Sequence, residues 1–450
     1  MRIAILVMVC SALITSCTST GAGHDPSKMS CDVSTSDFEA ARNSFFFAFP
    51  LYEMYRMRQR ALSPPEAKVN QLRHRTTLSG PKDRYITTPN NDTLYSAAWL
   101  DFSDGPVRFS VPAMGARYHS VELMDMFSDA FAVLRNETEE TLSFMIVGPD
   151  SDEEGGPGEM LVQSPTRDAW LVIRTHVMGS TDLIESQRLQ QAYTLTGSAK
   201  IKDEPVFEER VPSQPDGRQF LKVVNTGLAR GPAPKMQVDR MGCYSQAGIG
   251  QNPGDAAFDS DTPMMAVWNE NIEQFYSDAD DAFQTSGYME SGWRYPQPNI
   301  ARFGTDDVYR SAMALGGLAA LPQEEAINPM TDVDANGQTL VGANTYRLRI
   351  PGNIPVDGFW SLTLYESDGS GRWFFYENAI NRYAISSTTS GLDVEEDGSI
   401  VLQISNQDNS DHPNWMPAPE GEFRLVFRAY RPQESFLDGT FRLPPVTAVD

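Results

Sequence analysis

Carboxylates are the residues of this sequence best placed to do chemistry. Asp92 closes the string Pro89-Asn90-Asn91-Asp92, and Tyr95 follows three residues later. One carboxylate and two amides with an aromatic platform behind them can grip hydroxyl groups from a loop held by a rigid sheet. The same string reads as a tight turn whose Asn and Asp side chains bond back to the chain, and the two roles are compatible. Asp125 lies in the strand-like segment 117–127, where alternation groups it with His119, Val121, Leu123 and Phe127. A carboxylate on so apolar a face needs a partner. Either Arg117 reaches it from another strand as a structural ion pair, or Asp125 holds its proton and serves as a general acid or base. Asp92, Asp125 and Tyr95 are the catalytic candidates. Asn90, Asn91 and Arg117 are their ligand-binding neighbours.

The C-terminal part offers a complementary set. Arg382, beside Tyr383, supplies a planar cation able to clamp a carboxylate or sulfate bidentately. Trp415, in a loop between Asn414 and a proline-rich run, reads as a lid or binding wall or, equally, as core. Trp360, Trp373 and Tyr365 alternate along strands and read first as core, second as a sugar-stacking platform. Each half alone is incomplete, which places one shared cleft where two sandwiches meet, lined by the PNND loop and by Arg382 and Trp415.

Other chemistries are poorly served. There is no GxSxG elbow, HExxH, Walker loop or GxGxxG, and only 5 histidines exist. Asp332-Val-Asp334-Ala-Asn336-Gly337 matches the opening of a calcium loop, but Ala343 stands where the bidentate carboxylate belongs. A polar turn is the simpler reading. No metal site is expected, and the residues name no cofactor.

The elements that must position these groups alternate in period. Residues 36–62 step apolar side chains at three and four as a buried helix, with Pro50 expected to kink or split it. Period two takes over between 84 and 178, in segments 93–101, 107–112, 117–127, 143–147 and 169–177, an antiparallel sandwich. Helical spacing returns from 181 to 325, with Thr262-Pro263 as a cap and Thr305 opening a later helix. Strands dominate again from 338 to 445, at 344–350, 358–366, 373–376, 399–404 and 422–431. The fold class is α+β and mainly β. Its units are 36–180 (helix and sandwich), 181–337 (helical) and 338–450 (second sandwich).

The N-terminus reads as an address. Arg2 precedes an apolar run from Ile3 to Leu13, right for a signal sequence and too short to span a bilayer. It ends Ile14-Thr15-Ser16-Cys17, which resembles a lipobox and makes residues 1–16 the signal peptide, Cys17 the acylated residue and 17–35 a small, polar tether; the alternative is a plain signal peptide with a chance cysteine. Thr18, where an aspartate would retain the protein at the inner membrane, directs it to the outer membrane, facing the periplasm or the cell surface. Cys31 and Cys243 then remain, bridged or free. Sixty acids against 36 bases give a formal charge of −24, which excludes nucleic acid as a partner.

Two sets of motifs resemble a known family pair. The first is Tyr85 to Ser96, with Asp101, Arg117-Tyr118 and Asp125. The second is Asn344-Thr-Tyr346, Gly358-Phe-Trp-Ser361-Leu-Thr-Leu-Tyr365, Asn381-Arg382-Tyr383, Asp397-Gly-Ser399, Asn414-Trp-Met-Pro-Ala-Pro419 and Arg428-Ala-Tyr430-Arg-Pro432. They are similar to the paired bacterial domains of unknown function numbered 1254 (N-terminal) and 1214 (C-terminal), across about residues 36–445. His119 departs from the pattern, where a second aromatic is expected. The resemblance implies an immunoglobulin-like sandwich, a helical middle and a jelly-roll end, and it carries no activity. Three functions fit: an envelope hydrolase or lyase for a small polar or carbohydrate-like substrate, a non-catalytic lipoprotein binding such a ligand, or a structural envelope protein.

Overall fold

The computed structural model describes residues 36–202, 207, 210–251 and 262–449. The signal, the lipobox with Cys17, and Cys31 lie outside them.

Helix α1 (Asp37–Leu62) opens the fold, with Ser36 accepting from the Glu39 amide as its cap. Pro50 sits inside it without ending it. The first sandwich follows: β1 (Arg73–Arg75), β2 (Thr93–Asp101), β3 (Val107–Val111), β4 (His119–Met124), β5 (Ala130–Leu134), β6 (Leu142–Val147), β7 (Glu159–Gln163), β8 (Asp168–His176) and β9 (Thr194–Thr196). One sheet runs β1-β2-β8-β4-β5 and the other β7-β6-β3-β9. Alternate residues such as Leu100, Val121 and Leu171 meet Phe109, Phe144 and Ile146 between them. Pairing is antiparallel except for β6 with β7, which run parallel across the acidic Gly-rich connection.

Helix α2 (Leu183–Gln190) puts Leu189 into the core between these sheets, and the outer face of the five-stranded sheet carries α3 (Gly217–Arg230), α4 (Lys235–Met241), α5 (Pro263–Thr285) and α6 (Asp307–Gly316). Phe45, Phe220, Trp268 and Phe275 join Trp99, Met124 and Val172 of that face in one core. Thr262 caps α5 with Pro263 at its first turn, as the sequence indicates. At α6 the cap is Asp306, one residue beyond Thr305, because its carboxylate accepts from the Tyr309 amide. A buried ion cluster pins helices to sheet: Arg230 of α3 spans Asp101 and Asp168, which face each other in register on β2 and β8.

The second sandwich holds β10 (Tyr288–Glu290), β11 (Trp293–Tyr295), β12 (Ala326–Ile327), β13 (Met330–Thr331), β14 (Thr345–Ile350), β15 (Trp360–Ser367), β16 (Trp373–Phe375), β17 (Ala384–Ser386), β18 (Ile400–Ser405), β19 (Trp415–Pro417), β20 (Phe423–Tyr430) and β21 (Thr447–Val449). Its larger sheet runs β10-β11-β13-β20-β15-β16, with β12 beside β20 and β17 beside β15. The smaller runs β19-β18-β14-β21, in which β18 and β19 are parallel. Leu362, Leu364, Leu425 and Phe427 pack against Leu348, Leu402, Ile404 and Met416 to fill it. A last short helix, α7 (Glu434–Leu437), follows β20. The architecture is α+β, mainly β, with helices between two sandwiches.

Candidate functional site

The PNND loop leads into β2 and presses on the middle of the second sandwich's larger sheet. Thr88 adopts a left-handed φ of 45°, an unusual conformation for a β-branched residue. Its amide donates to the Trp373 carbonyl at 2.8 Å, and its carbonyl accepts from Arg428. The Tyr365 hydroxyl donates to the Pro89 carbonyl at 2.6 Å. Asn90 donates to the Tyr430 hydroxyl at 2.6 Å and accepts from the Asp92 amide, which is the expected Asx-type turn. Asn91 turns back within its own domain, donating to the Ser79 carbonyl. Asp92 accepts from Ser361 at 2.6 Å. Burial pushes its carboxyl upward, and Arg428 and the Ser361 hydroxyl pull it back. Arg428 is itself buried and also donates to Thr363 and to the Tyr365 hydroxyl, both at 2.8 Å.

This seam continues across the outer face of the first sandwich's five-stranded sheet. Register places Tyr95, Arg174 and Ser120 side by side on β2, β8 and β4. Arg174 donates to Glu122 at 2.9 Å and to the Ala319 carbonyl, and it lies over the half-buried Tyr95 ring. Tyr118 donates to Glu325 at 2.8 Å, and Arg135 pairs with the same carboxylate. Burial is the first cause pushing Glu122 and Glu325 upward, with the arginines opposing it. Phe359 stacks on His176 at 3.5 Å and on Tyr430 at 4.2 Å between ring centroids. Gly358 allows this contact, since a Cβ there would sit 2.7 Å from the Tyr430 carbonyl oxygen.

Arg382, Asn414 and Trp415 form a second, separate cluster. Arg382 donates to the Pro413 and Trp415 carbonyls at 2.7 Å each. Trp415 is buried, its indole donating to Ser405, so it is a wall of its own domain rather than an open lid. Asn414 holds the Asp393 and Val401 carbonyls. Among the described residues no hydrogen bond or ion pair joins these three to the PNND loop. Tyr383 packs on Phe375, which packs on Tyr365 and so abuts the seam.

Asp125 and Arg117 are not partners. Strand β4 ends at Met124 after a register shift, so Asp125 begins a turn instead of continuing the face of Leu123. Its carboxylate accepts from the amides of Phe127 and Asp129. Burial raises it to about 7, with the Asp129 charge adding and Arg310 opposing. Arg117 instead clamps Asp182, donating to it at 2.7 Å, and holds the His176 carbonyl. That hydrogen bond is the first cause drawing the Asp182 carboxyl down to about 2. His119 sits buried, accepting from the Asn136 amide at 2.8 Å on Nε2 and bonding the Arg117 carbonyl through Nδ1. The calcium-like string is a turn: Asp334 accepts from the Asn336 and Gln338 amides, while Asp332 pairs with Arg424. No cluster of His, Cys, Asp or Glu able to hold a metal occurs among the described residues.

Open space lies elsewhere. A groove of about 310 Å³ opens at one end of the first sandwich, between the turn Phe102–Pro106, the loop Gly148–Glu153, Arg167 and Pro232. Its Gly148 is obligatory, because a Cβ would stand 2.9 Å from that of Phe102. Ser103, Ser151, Asp150 and Glu153 give it hydroxyl and carboxylate lining over a Phe102 floor.

Ser361, Arg428 and Tyr430 stand in the motifs with no role legible from the residues, Tyr365 reads only as core or stacking platform, and neither Glu325 nor the groove has a signature in the sequence. One signal was present: Arg424, Arg428 and Tyr430 interrupt the otherwise apolar strand FRLVFRAY.

Comparison with known proteins agrees with this division. Residues 69–197 match the family described as "Protein of unknown function (DUF1254)", and residues 325–434 match "Protein of unknown function (DUF1214)". The chain carries a match to each of these two domains, and the seam joins one to the other. The VPA0106 protein of Vibrio parahaemolyticus is similar in structure, with TM-score 0.70 at 20% identity, over 92% of this chain and 100% of its own. An uncharacterised Burkholderia cenocepacia protein aligns over 90% of this chain and 88% of its own, at 10% identity and TM-score 0.45. No curated protein matches.

Proposed function

We propose that the chain is an exported lipoprotein, anchored through Cys17 in the outer membrane, that binds a small polar or carbohydrate-like molecule without transforming it. The carrying observation is a contrast of access. The groove of about 310 Å³ is open and of ligand size, whereas Asp92, Asn90 and Arg428 spend hydrogen bonds on the other domain, at Ser361, Tyr430 and the Thr88 carbonyl. Asp150 and Glu153 outnumber the one cation of the lining, Arg167, which favours a neutral or cationic, hydroxyl-rich ligand over an anion. The test is calorimetric titration of neutral sugars, amino sugars and sugar acids against the wild type and Ser151→Trp, which fills the groove. Binding of the first two classes, lost in Ser151→Trp at unchanged melting temperature, supports the reading. Binding that survives the tryptophan sinks it.

A catalytic reading of the seam has one specific support. Burial drives Asp92, Glu122 and Glu325 all toward the protonated form, and the Glu122 Oε1 atom is buried without a hydrogen-bond partner. Under that reading, Asp92→Asn abolishes turnover while Ser151→Trp leaves it intact.

A further inference from the structure

The groove has an annex. A crevice of about 10 Å³ adjoins it at Arg167 and Pro232, which line both spaces. Leu51 of α1, Met126 and Phe127 of the turn after β4, Leu228 of α3 and Ala233 supply its apolar wall. We propose that the groove's ligand is a neutral sugar carrying an acetamido group, with its ring in the groove and its methyl in the crevice. The inference rests on the groove reading above and names the ligand class of that same site.

The partition between the two spaces is thin. On the groove side, the Phe102 amide donates to the Arg167 carbonyl at 3.0 Å, which ties the floor to Arg167. On the crevice side, the chain leaving α3 presses on the same residue, since a Cβ at Gly231 would stand 2.9 Å from that of Arg167. Pro232 is exposed and Arg167 half-buried, so the threshold is reached from solvent.

Size and polarity choose a methyl for the crevice. Its volume is that of one small group. The polar groups of its lining are engaged with each other. Arg230 donates to Asp168 at 2.7 Å, and the Thr166 hydroxyl donates to the Asp168 carbonyl at 2.6 Å while accepting from the Met126 amide. The Tyr55 hydroxyl donates to the Gly227 carbonyl at 3.3 Å. A buried water ordinarily needs about three polar partners, whereas Leu51, Phe127 and Leu228 suit a methyl. The groove sets the arm that carries it. Asp150 and Glu153 are acceptors for hydroxyl and amide N–H groups. An acetamido arm brings an N–H donor and a methyl two bonds beyond it. A free amine has the donor without the methyl, and a deoxy sugar has the methyl without the donor.

The test is calorimetric titration with glucose and with N-formyl-, N-acetyl- and N-butanoylglucosamine. In the wild type, the N-acetyl sugar should bind about fourfold more tightly than the N-formyl one, the gain from burying one carbon. The N-butanoyl chain is too long for the crevice and should bind no better than N-formyl. In Ala233→Leu, which fills the crevice, N-formyl and N-acetyl should bind alike, at the wild-type N-formyl affinity. Equal N-formyl and N-acetyl affinities in the wild type, both lost in Ser151→Trp, overturn the crevice and leave the groove standing. Affinity that climbs steadily from formyl to butanoyl overturns it too, because an open apolar surface sets no size limit. So does an N-acetyl preference that survives Ala233→Leu. Silence from all four sugars, or binding that persists in Ser151→Trp, overturns the groove and the crevice together.

Discussion

Burial holds the Asp125 carboxyl at about 7, well above its ordinary 3.8, and the nearby Asp129 charge adds to the shift. A carboxyl raised on folding favours the folded state while both states are protonated. Its contribution is whole below about pH 4 and disappears as pH climbs through 7. Asp125→Asn keeps the acceptor for the Phe127 and Asp129 amides and removes the titration. Melting scans from pH 4 to 9 should show the variant gaining on the wild type as pH rises, by at least about 2 °C at pH 8. A constant difference across that range would refute this. Asp125 also shows the limit of strand parity. Its burial was legible from an apolar segment, but the register shift that ends β4 one residue earlier leaves no mark in the residue types. Gly358→Ala addresses the other crowded residue. With 2.7 Å between its Cβ and the Tyr430 carbonyl oxygen, it should cost about 1–3 kcal/mol in urea unfolding.

Strands β15 and β20 and the PNND loop act as one element assembled from both domains. Tyr430→Phe keeps the ring stacked on Phe359 and removes the bond with Asn90. The expected loss is about 0.5–1.5 kcal/mol, and an unchanged urea midpoint would show that water replaces the hydroxyl. The loop itself was legible, because Pro-Asn-Asn-Asp has the chemistry of a turn whose amides bond back, as Asn90 does. Its partners were not. Asp92 and Ser361 are 269 positions apart and Asn90 and Tyr430 are 340 apart. Nothing local in GFWSLTLY or FRLVFRAY says which strand positions face a neighbouring domain. Arg382 and Trp415 looked equally eligible, yet they satisfy each other within their own sandwich.

Across the molecule, alternation between period two and period 3.6 carried the order of helix, sandwich, helices and sandwich, since each period marks which faces are buried. Segments 93–101 and 143–147 read from alternation fall within one residue of β2 and β6. The short strands β1, β9, β12 and β17 span two or three residues, too few to show a period. They exist because tertiary neighbours offer a ladder. The groove was equally invisible, being a gap between loops rather than a property of any residue. At this scale the shared motifs bind one sandwich to the other. Scanning calorimetry of Arg428→Met tests it most directly. Removing that guanidinium takes away the charge opposing the upward shift of Asp92 and the hydrogen bonds to the Thr88 carbonyl, Thr363 and Tyr365, at about 1–3 kcal/mol for a buried acceptor left unpaired. The expected melting transition is several degrees lower, or split in two as the sandwiches uncouple, with sugar titration into the groove still intact below it. A variant that melts like the wild type but no longer binds or turns over ligand would contradict it.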